Sequence, residues 1–340
     1  MKNEVLSEQF ASQARKIVSE VKSGKREKGI EFSDEVVLKE MIGTADGGQE
    51  FLEKVTYDLY QGRESVPVLY KDIYTTYVDA SFPETMTANE MGPVQIVFLE
   101  KFEGGEVKFG TLAPGLQKVV SFHTYAAGIE YNEDMLEYNQ TWKVTEVGLA
   151  FGEAYTKMLN HLHLNPIIAG SYVTTGGGLL AQKAKQENPT TGAAQLIAYN
   201  TSVRQTLMDA ITVLPKGSFM LANSSDRFIL EDAIWGSLYS DLKTPTAIQR
   251  QLSPENIHYY DGDYVEVGGK TYTYPGVAAG FLYLLVPKTN FKEYIKHDLR
   301  VDSNDGDLSR LIITQVVGRT RRALFAGLST KYGVIKIALK

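Results

Sequence analysis

The 340-residue chain contains no cysteine. Disulfides, thiolate metal sites and cysteine nucleophiles are therefore excluded, and the chain suits a reducing compartment as well as any other. It also lacks a long apolar run. The longest, Val277 to Val286, is too short to span a bilayer and contains Gly280. The opening Met1-Lys-Asn-Glu-Val-Leu-Ser-Glu-Gln is charged and has no apolar h-region, so no secretory signal is expected. Basic charge is not in excess. The 35 Lys and Arg against 41 Asp and Glu give a net charge of −6, which argues against a dedicated nucleic-acid binder.

The usual chemistry is absent too. There is no Gly-x-Ser-x-Gly elbow. Of the five histidines, His161 and His163 stand two apart, whereas a helical zinc pair needs i, i+4. Gly268-Gly-Lys-Thr271 ends like a phosphate loop, but Tyr264 occupies the place of the first glycine. The alternating flanks suit a hairpin turn better. Asp302-Ser-Asn-Asp-Gly-Asp307 has its glycine one position early for a calcium loop and reads as an acidic turn. No catalytic residue, metal or cofactor is expected.

What the chain has is β-rich segments and helical stripes. Hydrophobic content of 43% and charged content of 22% are those of a globular protein, and 20 tyrosines suit β structure and large interfaces. The stretch from Val94 to Pro166 organises the rest. Val94–Phe109 and Lys118–Tyr131 are extended by composition, with Glu103-Gly104-Gly105 as a tight turn. Asn132 then caps a helix expected to run to His163 and to stop at Pro166. Val147, Phe151, Ala154, Tyr155, Met158 and Leu162 mark its apolar face. Gly148 and Gly152 allow either close approach of another backbone or a bend.

Residues 1–65 read as short helices with little apolar mass, an arm lying on something else. Val66–Val78 reads as extended and Thr85–Pro93 as a loop. Gln195–Leu214 reads as an amphipathic helix, ended by Pro215. Ser218–Ala222 reads as a strand, with Asn223 capping the helix after it. Strands follow near 257–260, 264–267, 271–274 and 280–286, and then at 291–301, 308–325 and 333–339. The strand-cap-helix unit suggests an α/β subdomain over about 195–285. Arg319, Arg321 and Arg322 form the one dense basic cluster. On a strand, 319 and 321 share a face and 322 takes the other. The set fits salt bridges between strands or between subunits, or contact with nucleic acid.

A weak arm, an apolar ribbon and a long helix are more than one such chain can bury, so an assembly with head-to-tail contacts is expected. The order of parts resembles the major capsid protein of tailed bacteriophages. Lys118-Val-Val-Ser-Phe-His-Thr-Tyr-Ala-Ala-Gly-Ile-Glu-Tyr-Asn-Glu-Asp-Met-Leu136 is similar to that family's strand entering its spine helix. Thr314-Gln-Val-Val-Gly-Arg-Thr-Arg-Arg-Ala-Leu-Phe-Ala326 is similar to its last long strand.

The resemblance implies an α+β, Hong Kong 97-like fold. Its parts would be an N-terminal arm at 1–65, an extended segment and loop at 66–131 with its hairpin near 94–118, a peripheral domain with spine helix at 132–194, an axial α/β domain at 195–286 and the rest of the peripheral domain at 287–340. It implies a shell of pentamers and hexamers in a virion, assembled in host cytoplasm. Partners would be the chain itself, portal and scaffolding or decoration proteins, and packaged double-stranded DNA touched weakly; no membrane is implied. Subunit-contact candidates are Phe98, Phe102, Val107, Phe109, Arg319, Arg321 and Arg322. An encapsulin-type compartment shell and a soluble α/β enzyme with an unseen site are the alternatives.

Overall fold

A computed structural model describes residues 2–26, 29–31, 38, 45–89, 94–95, 111–112, 117–174, 194–197, 202–214, 216–235, 254–267, 270–305, 312–327 and 333–339. The chain is α+β. Two 21-residue helices, α1 (Lys2–Lys22) and α2 (Ala45–Ser65), open it. They are longer than the short helices expected, and they lie on the chain's own body. α2 buries Phe51, Val55, Leu59 and Tyr60 in the main core.

The strands that follow are β1 (Thr75–Val78), β2 (Thr85–Asn89), β3 (Val94–Gln95), β4 (Thr111–Leu112), β5 (Gln117–Ser121) and β6 (His123–Asn132). The extended reading of 66–78 holds only at its end, and the loop expected at 85–93 begins with strand β2. A short helix, α3 (Glu133–Glu137), then gives way to α4 (Thr141–Ile168). The single helix expected from Asn132 is thus broken. Asn139 sits at φ 47, a left-handed conformation that asparagine tolerates better than most residues. Its side-chain oxygen accepts the backbone N–H of Leu38 at 3.0 Å, which holds the turn.

α4 corrects two further expectations. Pro166 lies inside the helix and does not stop it. Only one backbone donor is lost, two residues before the end, and tyrosine hydroxyls serve the final turns. Tyr74 donates to the His163 carbonyl at 2.8 Å and Tyr172 to the Ile167 carbonyl at 2.6 Å. The buried face is also rotated from the expected one. It runs through Val144, Gly148, Gly152, Tyr155, Leu159 and His163, while Ala154 is exposed. The glycines define it, because α2 packs there. A Cβ on Gly152 would lie 2.0 Å from the Leu59 carbonyl oxygen, and one on Gly62 2.1 Å from that of Leu149. Close approach, not a bend, explains Gly148 and Gly152.

The remaining elements are β7 (Tyr172–Thr174), β8 (Ala194–Ile197), α5 (Val203–Val213), β9 (Phe219–Ala222), a 3-10 turn at Ser224–Asp226, α6 (Arg227–Trp235), β10 (Ile257–Tyr259), β11 (Gly262–Val267), β12 (Lys270–Pro275), β13 (Phe281–Leu285), β14 (Phe291–Asp305), β15 (Ile312–Ala326) and β16 (Val334–Ala338). The helix expected over 195–214 is a strand and a shorter helix. Leu196 belongs to β8, paired in parallel with β16, and the helix starts after Ser202, whose hydroxyl accepts the Gln205 N–H.

Two sheets organise the body. One has the order β1-β14-β15-β6, and the other β10-β9-β13-β16-β8-β7. The second is a wall between two cores. Phe219, Leu221, Tyr283, Leu285 and Val334 face the main core; Met220, Ala222, Leu282, Leu284, Ile335 and Ile337 face α5 and α6. That alternation is the period-2 geometry of a strand buried on both sides. β16 lies inside this sheet, so the C-terminal strand joins the α/β subdomain and not the part expected over 287–340.

Candidate assembly surface and the ionic hub behind it

The root of the ribbon is built by a change of strand partner. β6 pairs antiparallel with β15, from Ile312 opposite Asn132 to Arg322 opposite His123. At Phe122 the strand leaves that sheet. β5 pairs instead with β2, Thr85 facing Ser121, and β3 pairs with β4, Gln95 facing Thr111. Ten residues on along one side match ten back along the other, so both ladders keep one register. Ala88, Val120 and Phe122 turn inward onto Tyr294, Ala323 and Phe325, with Phe82 and Met86 at the edge. Phe82 stacks on Phe122 with ring centroids 5.7 Å apart. On the other face Val119 is 66% exposed.

Among the contact candidates, Phe98, Phe102, Val107 and Phe109 lie outside the described residues, as does Glu103-Gly104-Gly105. The three arginines are described. Arg319 is half exposed and pairs with Asp302 at 3.0 Å. Arg321 reaches Glu84 at 2.9 Å, which ties β15 to the base of the ribbon. Arg322 is 2% exposed and makes its contacts within the chain, which removes it from the outer surface. The alternation expected of a strand is kept: 319 and 321 face out, 322 in.

Arg322 is the centre of a buried ionic hub. It donates to Glu293, to the Tyr155 hydroxyl at 2.7 Å and to Asp298 at 3.1 Å. Glu293 also accepts from Thr76 at 3.0 Å and lies 2.9 Å from Nε2 of His163. His163 is wholly buried, stacked on Tyr70 with centroids 3.7 Å apart, and its Nδ1 lies 2.7 Å from the Leu159 carbonyl. Asp298 takes Arg63 at 3.5 Å and Arg15 of α1 at 3.1 Å. The hub thereby joins α1, α2, α4, β1, β14 and β15.

Burial pushes the Glu293 carboxyl up, but His163, Arg322 and Thr76 outweigh it and hold it below the usual range. Asp298 follows the same pattern, with burial overcome by Arg63, Arg322 and Arg15. Burial dominates at His163 and lowers its imidazole against the pull of Glu293. A second buried pair, Lys54 and Asp58, lies where α2 meets α4. Burial raises Asp58 to about 6 although Lys54 opposes it.

These groups pair largely with one another, and the network fixes the relative positions of the elements they come from. Among the described residues no group of three or more metal-ligating side chains converges. The phosphate-loop look-alike is the β11–β12 hairpin, with Val267 opposite Lys270. Asp302 of the acidic run is inside β14. His161 and His163 face different ways, His161 stacking on Tyr274 at 4.7 Å. Sequence reasoning missed Glu293 and Asp298. One signal was present: in Phe291-Lys-Glu-Tyr-Ile295, Glu293 falls in phase with Phe291 and Ile295, an acid on the apolar face.

No family model and no curated protein matches the chain. Solved structures overlay on it at low identity. The capsid structure of the cyanophage P-SCSP1u is 12% identical with a TM-score of 0.48, covering 80% of this chain and 88% of that one. The structure of Mycobacterium phage Adephagia is 13% identical with a TM-score of 0.46, covering 80% and 90%. The virus-like particle from Pyrococcus furiosus is 11% identical with a TM-score of 0.48, covering 84% and 98%.

Proposed function

We propose that the chain is a shell subunit of the tailed-phage major capsid type, with a Hong Kong 97-like fold and a mechanical, not a catalytic, role. The observation that carries this reading is the ribbon root. A strand leaves the body sheet at Phe122 and continues into two ladders of constant register, bolted down by Phe82, Phe122 and Phe325. The sequence beyond the root holds Phe98, Phe102, Val107 and Phe109. Apolar side chains on a projecting ribbon invite aggregation unless a neighbour covers them. A second copy of the chain is the economical cover, and head-to-tail contacts close into rings.

On this reading β14 and β15, each 15 residues long, belong to the peripheral part and brace α4 as a spine. The six-stranded sheet with α5 and α6 is the axial part. Pentamers and hexamers of such subunits close an icosahedral shell in the virion, assembled in host cytoplasm with portal and scaffolding or decoration proteins. The acidic subunit touches packaged DNA lightly, since like charges repel. Particle content separates a phage head from an encapsulin-type compartment: DNA in the first, cargo protein in the second. Sedimentation of the purified chain tests the reading, with closed megadalton particles expected. A stable monomer with no tendency to assemble contradicts it.

A further inference from the structure

A cavity of about 650 Å³ opens beside the ionic hub, walled by α1, α2, β1 and β14. That is the size of a small-molecule site. Five Lys or Arg residues line it against three acids, on a chain whose net charge is −6. The acids are engaged. Glu293 accepts from Arg322 through one oxygen and from Thr76 through the other. Asp298 accepts from Arg322 through one and from Arg15 through the other, and Glu64 takes Lys22 at 3.2 Å.

The groups left idle are donors. The Arg63 guanidinium lies over the rings of Tyr155 and Tyr60, 5.3 Å and 5.8 Å from their centroids. The rings fix its place without using its N–H groups. It stands 3.5 Å from Asp298 with a side chain only 23% exposed, and it makes no hydrogen bond among the described residues. An arginine carries five N–H donors in a planar fork. Tyr70 is 7% exposed and stacked on His163, and its hydroxyl also makes no hydrogen bond among the described residues. Burial holds that hydroxyl above its usual titration range, so it remains a donor. A buried polar group costs free energy unless something supplies its partner.

We propose that this cavity is a binding site for a phosphate group, held by the Arg63 fork and the Tyr70 hydroxyl, with Arg15 and Lys71 on its open side. A phosphate dianion matches the surplus of two positive charges on the wall. Its oxygens are acceptors, which is what Arg63 and Tyr70 lack. The remaining volume has room for the rest of a small phosphomonoester. Bound there, the group ties α2 to the Tyr70 segment ahead of β1 and stabilises the body. The site does not depend on the shell reading, since every residue in it comes from one chain.

Equilibrium dialysis of the purified protein against radiolabelled inorganic phosphate, at neutral pH and fixed ionic strength, tests the site. Saturation near one phosphate per chain is expected. Arg63→Lys keeps a charge beside Asp298 and loses the fork. Tyr70→Phe keeps the ring on His163 and loses the hydroxyl. Each should weaken binding at least about tenfold, the worth of a hydrogen bond to a charged group. Circular-dichroism melts in chloride check that the variants fold, and if one does not, the other carries the test. Glycerol 3-phosphate as competitor separates the two sources. Displacement tighter than by phosphate itself names a phosphomonoester, and weaker displacement names free phosphate. Binding that does not saturate, or saturable binding that the folded variants retain at full strength, overturns the site.

Discussion

At the scale of single residues, Glu293 decides most. It is 2% exposed, accepts from Arg322 and Thr76, and lies 2.9 Å from Nε2 of His163. Glu293→Gln leaves a buried guanidinium short of a charge, and breaking such a pair costs on the order of 3–5 kcal/mol. Urea unfolding of the isolated subunit measures it. Arg319→Ala, which removes a half-exposed pair, should shift stability by no more than about 1 kcal/mol. Asp58→Ala should destabilise for the same reason as Glu293→Gln, because Lys54 keeps its charge in a buried place. The double change Lys54→Met with Asp58→Leu should recover most of that loss, since an apolar pair has no desolvation to offset.

The same groups set a pH dependence. His163, Glu293 and Asp298 are all held below their ordinary values in the folded chain. The stability each contributes is full above its unfolded value and is lost as pH falls through the folded one. Loss should therefore begin below about 6.5, the ordinary histidine value, and steepen below about 4.3. Asp58 has the opposite sign. It is raised to about 6, so its contribution is present in acid and lost as pH rises through that value. Urea midpoints from pH 8 to pH 4 should fall toward acid, and Asp58→Asn should remove the opposing part near pH 6.

At the scale of elements, the α2–α4 contact is held close by three glycines. Gly152→Val places side-chain atoms against the Leu59 carbonyl and the Arg63 N–H, backbone that cannot move aside. The helices must separate, at a cost of at least about 1–3 kcal/mol. Glycine removal in an exposed helix would instead stabilise by up to about 1 kcal/mol, so thermal unfolding gives the sign directly. This contact also shows why the helix face was misread from sequence. A hydrophobicity pattern treats Gly148 and Gly152 as blanks, whereas they are the buried line. Strand β9, the Asn223 cap and the β11–β12 hairpin were legible because turn chemistry and alternation are local. The break at Asn139 and the survival of α4 past Pro166 depend on Leu38 and Tyr74, distant in sequence, and on Tyr172, which folds back from the next strand. β8 was mistaken for helix because its period is short and its partners, β7 and β16, come from elsewhere in the chain.

At the scale of the whole molecule, two cores share the six-stranded wall, and the ionic hub joins α1, α2, α4, β1, β14 and β15 behind it. The ribbon root packs on the body through Ala88, Val120 and Phe122, with Val119 exposed on its other face. A net charge of −6 predicts weak binding of duplex DNA by isolated subunits. Tight binding that weakens steeply with salt would mean a dedicated DNA-binding face. The central claim is that this ribbon finds its cover on other copies of the chain. Analytical ultracentrifugation of the purified protein addresses it most directly. Closed particles of megadalton mass, with a sharp sedimentation boundary, are the predicted result. A single species at 37.8 kDa across concentration and salt would contradict it.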